Sequence, residues 1–164
     1  MGCTLIRGLL LLGSLLCATA HAVRLDDSLS PQQQVNIGLD WKTSSIDIDK
    51  LDNTEIHRLI AHANNMDTRL DTSDFIGKQV RIYLSLPILI RGLSNPQSLI
   101  FSWTTNGLFL DGQLTPGNRQ LIFEGVVTTP VMIDNFNFTF ELDARDLSQT
   151  IRTEPIYELD VISP

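Results

Sequence analysis

Thiols are nearly missing from this chain of 164 residues: its two cysteines, Cys3 and Cys17, both lie within the first 22. If that stretch is removed, the remainder has no disulfide and no thiol chemistry and must hold itself together by core packing. Long apolar runs are scarce too. A bilayer core of about 30 Å needs roughly 20 apolar residues in a helix, and none is that long. The glycines beyond the first 22 residues (Gly38, Gly77, Gly92, Gly107, Gly112, Gly117 and Gly125) are scattered singly, so no Gly-rich phosphate loop is present. A G-x-S-x-G nucleophile elbow is missing as well. Basic residues are outnumbered, and a net acidic chain is a poor partner for nucleic acid, whose binding draws on cations meeting phosphates.

What is present begins with a leader. Met1–Arg7 carries one positive charge and no acid, Gly8–Leu16 is rich in leucine, and Ala20 and Ala22 place small residues where a signal peptidase reads. These are the three parts of a secretory signal, with cleavage expected after Ala22 and no membrane insertion afterwards. Cleavage before Cys17 with attachment of a lipid is disfavoured by bulky Leu15 and Leu16. Cleavage after Ala22 leaves 142 residues, enough for one domain with a core. Without Arg7 there are 11 basic against 19 acidic residues, a formal charge of −8. The expected location is therefore the periplasm, the cell surface or the medium.

Residues 23–34 are polar, with Asp26, Asp27, Pro31 and consecutive glutamines, and read as a flexible arm. Residues 35–164 read as one domain. Val35, Ile37, Leu39 and Trp41 alternate with polar residues, the period of a half-buried strand, and Ile46 and Ile48 suggest a second. Ile56, Leu59, Ile60, Ala63 and Met66 recur at helical spacing behind a cap at Asp52 or Asn53, which predicts one short amphipathic helix over 53–65. Residues 66–77 read as a loop.

From Val80 the pattern is β. Val80, Ile82, Leu84, Leu86, Ile88 and Ile90 fall on one face, and Pro87, with no amide hydrogen to give, marks an edge or a change of partner. Asn106-Gly107 predicts a two-residue type I′ hairpin that sets Trp103 opposite Leu110 and Phe101 opposite Gly112. Leu121, Phe123 and Val127 head another strand; Phe136, Phe138, Phe140 and Leu142 alternate in the next. Residues 143–154 read as a loop, and Ile156–Ile162 as the last strand. About eight strands with short connections predict an antiparallel β-sandwich, immunoglobulin-like first, a jelly roll or open barrel second.

Chemistry-bearing constellations are few. His57 and His62, on one helix, would diverge by roughly 140° and could not close on one metal. They are also the only imidazoles available to an unfamiliar hydrolase. Seven of the fourteen aspartates fall within residues 40–74, which makes Asp47, Asp49 and Asp52 candidate calcium ligands, although Lys50 interrupts them and the glycine of a calcium hand is missing. Asn137-Phe138-Thr139 is a glycosylation sequon. Trp41, Phe109 and Pro87 are candidate partner contacts: two aromatics able to stack a sugar or a protein, and a strand edge open to β-addition. The outline of signal, polar arm and cofactor-free β-domain is shared by pilus subunits and surface adhesins, and no motif singles out a family. The expected function is contact with a protein or glycan, self-association included, with no cofactor other than calcium.

Overall fold

A computed structural model describes residues 22–31, 39–42 and 57–163. It is an antiparallel β-sandwich. Among the described residues eleven strands form a four-stranded sheet, a five-stranded sheet and a two-stranded ribbon. The four-stranded sheet runs β1 (Val23–Arg24), β11 (Ile156–Ser163), β4 (Gln79–Ser85), β8 (Arg119–Val126). The five-stranded sheet runs β2 (Asp40–Trp41), β3 (Arg58–Asp71), β9 (Val131–Asp143), β6 (Ile100–Thr105), β7 (Gly112–Leu114). The ribbon pairs β5 (Arg91–Leu93) with β10 (Leu147–Arg152).

Period-two burial explains both sheets. Val80, Ile82 and Leu84 of β4 and Tyr157 and Leu159 of β11 face Phe101, Trp103, Phe136, Phe138 and Leu142 from the other sheet, in one continuous buried cluster. Offset stacking binds the centre: Phe136 and Phe138 lie 5.2 Å apart at 18°, and Phe138 and Phe101 5.1 Å apart at 25°. Such pairs contribute about 0.5–1.5 kcal/mol each beyond their buried area.

Over the described part of the helix expected at 53–65 no helix forms: from Arg58 the chain is the long strand β3, which also takes in the first half of the expected loop at 66–77. Leu59, Ala61 and Ala63 face inward against Leu142, Phe140 and Phe138. A bulge between Ala63 and Met66, with Asn65 at φ 59°, then reverses the phase, so that Thr68 and Leu70 face inward instead. That reversal breaks the alternation into two short pieces and leaves an apparent helical spacing in the sequence. Pairing with the phenylalanine-rich β9 overrides the local preference of Ala and Met for helix.

Three other expectations shift. Asn106 and Gly107 do not have positive φ. Phe101 pairs with Leu114 and Trp103 with Gly112, two residues from the expected register, leaving a loop over 106–111. The run from Val80 to Ile90 is not one strand; β4 ends at Ser85 and the chain re-enters as β5 in the ribbon, with Ile88 and Leu89 exposed between. Part of the expected loop at 143–154 is β10, the partner of β5.

Nor do residues 23–31 of the arm stand free. Val23 pairs with Leu159, Leu25 is buried and donates its amide to Tyr157 O at 2.9 Å, and the Asp71 amide donates to Asp26 O at 2.9 Å.

Candidate functional site

On the flank where β1 edges one sheet and β2 the other, a cleft of about 1220 Å³ opens between the sheets. Ala61, Phe140 and Leu142, inward-facing residues of β3 and β9, line it together with Ile156 at the start of β11. Leu39, just before β2, and Leu89, after Pro87, add apolar surface. Ser148, Gln149 and Thr150 of β10 give it a polar wall.

Local chemistry puts the wall there. Pro87 lies just past the end of β4, so the chain leaves the four-stranded sheet and re-enters as β5. Gly92, at φ +100°, lets β5 approach β10 closely: a Cβ there would sit 2.7 Å from Thr150 O. Ser148 Oγ donates to Gly92 O at 3.0 Å, and the Ser94 amide donates to Asp146 O at 2.8 Å, tying the ribbon together.

This flank also carries charge. The ion pairs among the described residues take up Lys42, Arg69, Arg81, Arg119 and Arg145. Arg24 and Arg152 line the cleft and are in none of them. Arg58, Lys78 and Arg91 are in none of these pairs either and do not line the cleft, but Arg91 lies directly opposite Arg152 across the ribbon. Arg24, Arg91 and Arg152 are all exposed. Like charges facing across strands oppose pairing by a few tenths of a kcal/mol to about 1. Glu154 is the acidic residue lining the cleft.

The residues singled out in the sequence are not brought together. Trp41 is 50% exposed on β2; by strand alternation it shares a face with Leu39, which lines the cleft. Pro87 lines the cleft, but β4 is paired on both sides, by β11 and β8, and offers no free edge. Phe109 is not an outer-face aromatic: it is buried, meeting Phe123 edge-on at 6.5 Å, because the longer loop folds it inward. Asp47, Asp49 and Asp52 lie outside the described residues. Among the described residues no three His, Cys, Asp or Glu side chains gather as metal ligands.

His62 stands on the outer face of β3 with Nδ1 3.0 Å from Thr139 Oγ1. Ser102 is the next residue in that row, so two strand spacings, roughly 9–10 Å, separate it from His62. No serine–histidine pair forms there. Asn137 also faces out, its Oδ1 accepting the Asn65 amide at 2.9 Å.

A buried carboxylate escaped the reading of the sequence. Asp134 Oδ2 accepts the Phe109 amide at 2.8 Å, and a Cβ at Gly107 would come 2.9 Å from Asp134 Oδ1. Gly107 is thus required by this close approach rather than by turn geometry. The signal was available: Asp134 occupies an inward register in an otherwise apolar series, Met132, Phe136, Phe138 and Leu142. Beside it in the core, burial pushes the Tyr157 phenol up to about 12, with a hydrogen bond to Thr68 pulling the other way.

Comparison with family models, curated proteins and solved structures gave no match to this chain.

Proposed function

We propose that this chain is an exported, non-catalytic binding domain, an immunoglobulin-like variety of β-sandwich, that works outside the cytoplasm through contacts with a protein or glycan. The observation that carries this reading is the cleft: exposed apolar Leu39 and Leu89, a hydroxyl and amide wall, and Arg24 and Arg152, which are in none of the ion pairs among the described residues. Such a combination suits recognition, since apolar surface supplies affinity and a few placed polar groups supply orientation. The leader motif at residues 1–22 supports export, and the two-sheet antiparallel arrangement supports the immunoglobulin-like reading.

Fractionating cells that make the full chain tests both parts. The expected product begins at Val23, lies outside the cytoplasm, and is partly retained by intact cells. Thr150→Trp, an exposed change on the cleft wall, should abolish retention while leaving melting unchanged. A full-length cytoplasmic product, or retention indifferent to Thr150→Trp, would overturn the reading.

A further inference from the structure

We infer that Asn106-Gly107 is a modification site, a self-deamidating pair away from the cleft, and that its conversion loosens the grip of Asp134 on the loop that buries Phe109. The pair lies between β6 and β7, where neither residue belongs to a strand and both are exposed. The loop is pinned on either side of it. Asp111 Oδ1 accepts the Thr105 amide at 2.8 Å, and Asp134 Oδ2 accepts the Phe109 amide at 2.8 Å. Among the described residues neither the Asn106 side chain nor the Gly107 amide makes a hydrogen bond. Gly107 has no Cβ to shield its nitrogen, and the core holds it to that: a Cβ there would come 2.9 Å from Asp134 Oδ1. The glycine that close packing demands is also the one that leaves Asn106 open to attack.

The chemistry needs only water, and asparagine is among the thermolabile side chains. The Gly107 nitrogen gives up its proton and bonds to the side-chain carbonyl carbon of Asn106. The bond from that carbon to the side-chain nitrogen breaks, and ammonia leaves with the proton, closing a five-membered succinimide. Water adding at the side-chain carbonyl breaks the new bond and leaves aspartate. Water adding at the main-chain carbonyl breaks the original peptide bond and leaves isoaspartate. Nothing is oxidised or reduced. Aspartate at 106 places a negative charge beside the carboxylates of Asp111 and Asp134, an arrangement that costs most where water is excluded. Isoaspartate lengthens the main chain by one carbon and shifts Gly107 against Asp134. Both products therefore act on the contact that holds Phe109, which packs on Phe136 at 5.6 Å and edge-on to Phe123 at 6.5 Å.

The test is to age the folded chain at mildly alkaline pH and to follow each asparagine by peptide mapping, with isoaspartate distinguished by fragmentation. Asn118 is the internal control: it is exposed too, but its Nδ2 donates to Thr115 Oγ1 at 2.8 Å, and its successor Arg119 has a side chain and is held in β8. Asn106 should convert roughly tenfold or more faster than Asn118. Denaturant should speed conversion of Asn106 by no more than about threefold, because the fold leaves the pair free. Asn106→Asp, which installs one product, should speed exchange of the Phe109 amide about fivefold or more and leave that of Leu159 unchanged. Asn106→Gln should stop the conversion and exchange like the parent chain. Conversion no faster at Asn106 than at Asn118, or a large acceleration in denaturant, would overturn the modification site. Exchange at Phe109 unmoved by Asn106→Asp would overturn the loosening.

Discussion

Along the β6–β7–β8 side the sheets are drawn together: Trp103 Nε1 donates to Leu110 O at 2.9 Å, the Leu110 amide donates across to Ile122 O at 2.7 Å, and Asp134 anchors the loop between β6 and β7. Along the β1–β2 side the same two sheets part over a cleft walled by a separate ribbon with an arginine pair facing across it. One flank satisfies its polar groups internally and buries its aromatics. The other holds Arg24, Arg91 and Arg152, which are in none of the ion pairs among the described residues, and leaves Leu39 and Leu89 exposed. Stability should therefore be concentrated on the closed side and recognition on the open one, and substitutions can break or sharpen that division.

The largest effect is expected at the aromatic centre. Phe136→Ala should cost about 3–5 kcal/mol in denaturant unfolding, as for other phenylalanines removed from dry cores. A loss below 1 kcal/mol would mean the closed side is not where stability resides. Next comes Tyr157. Its neutral form is favoured in the fold, so its contribution is complete below the ordinary tyrosine value of 10.0 and is lost as pH rises through about 12. Unfolding between those values should show a fall of about 2–3 kcal/mol that Tyr157→Phe removes; an unchanged slope in that variant would reject the assignment.

Asp134→Ala strands the Phe109 amide in the core and should cost about 1–3 kcal/mol, with faster amide exchange confined to residues 105–111. Exchange spread evenly over both flanks would erase the contrast between them. Smallest is Arg91→Gln, which removes a like-charge pair and should stabilise by up to about 0.5 kcal/mol. Clear destabilisation there would show that the arginines serve the fold.

The strands legible in the sequence were those whose alternation runs unbroken, such as Phe136–Leu142 and Val80–Leu84. Those hidden had their period interrupted: β3 changes phase at its bulge, and β10 is mostly polar because it walls a cleft rather than covering a core. The Asn106-Gly107 signal pointed to a hairpin in the right place, and a contact distant in sequence, from Asp134, together with a local one from Asp111 to the Thr105 amide, accompanies its shifted register. The cleft was the least legible feature. Arg24, Arg91 and Arg152 are ordinary surface arginines until the ribbon and the first strand bring them to one flank.

Pairing of β1 with β11 has a consequence for how the molecule is assembled. Val23 finds Leu159 only after nearly the whole chain has been made, so the four-stranded sheet stays open at that edge until its last strand arrives. Loop closure over so long a span is slow. Late closure of this kind makes β1 a latch: the other strands of the sheet can pair first, and the edge is sealed when Val23 and Arg24 find Leu159 and Glu158.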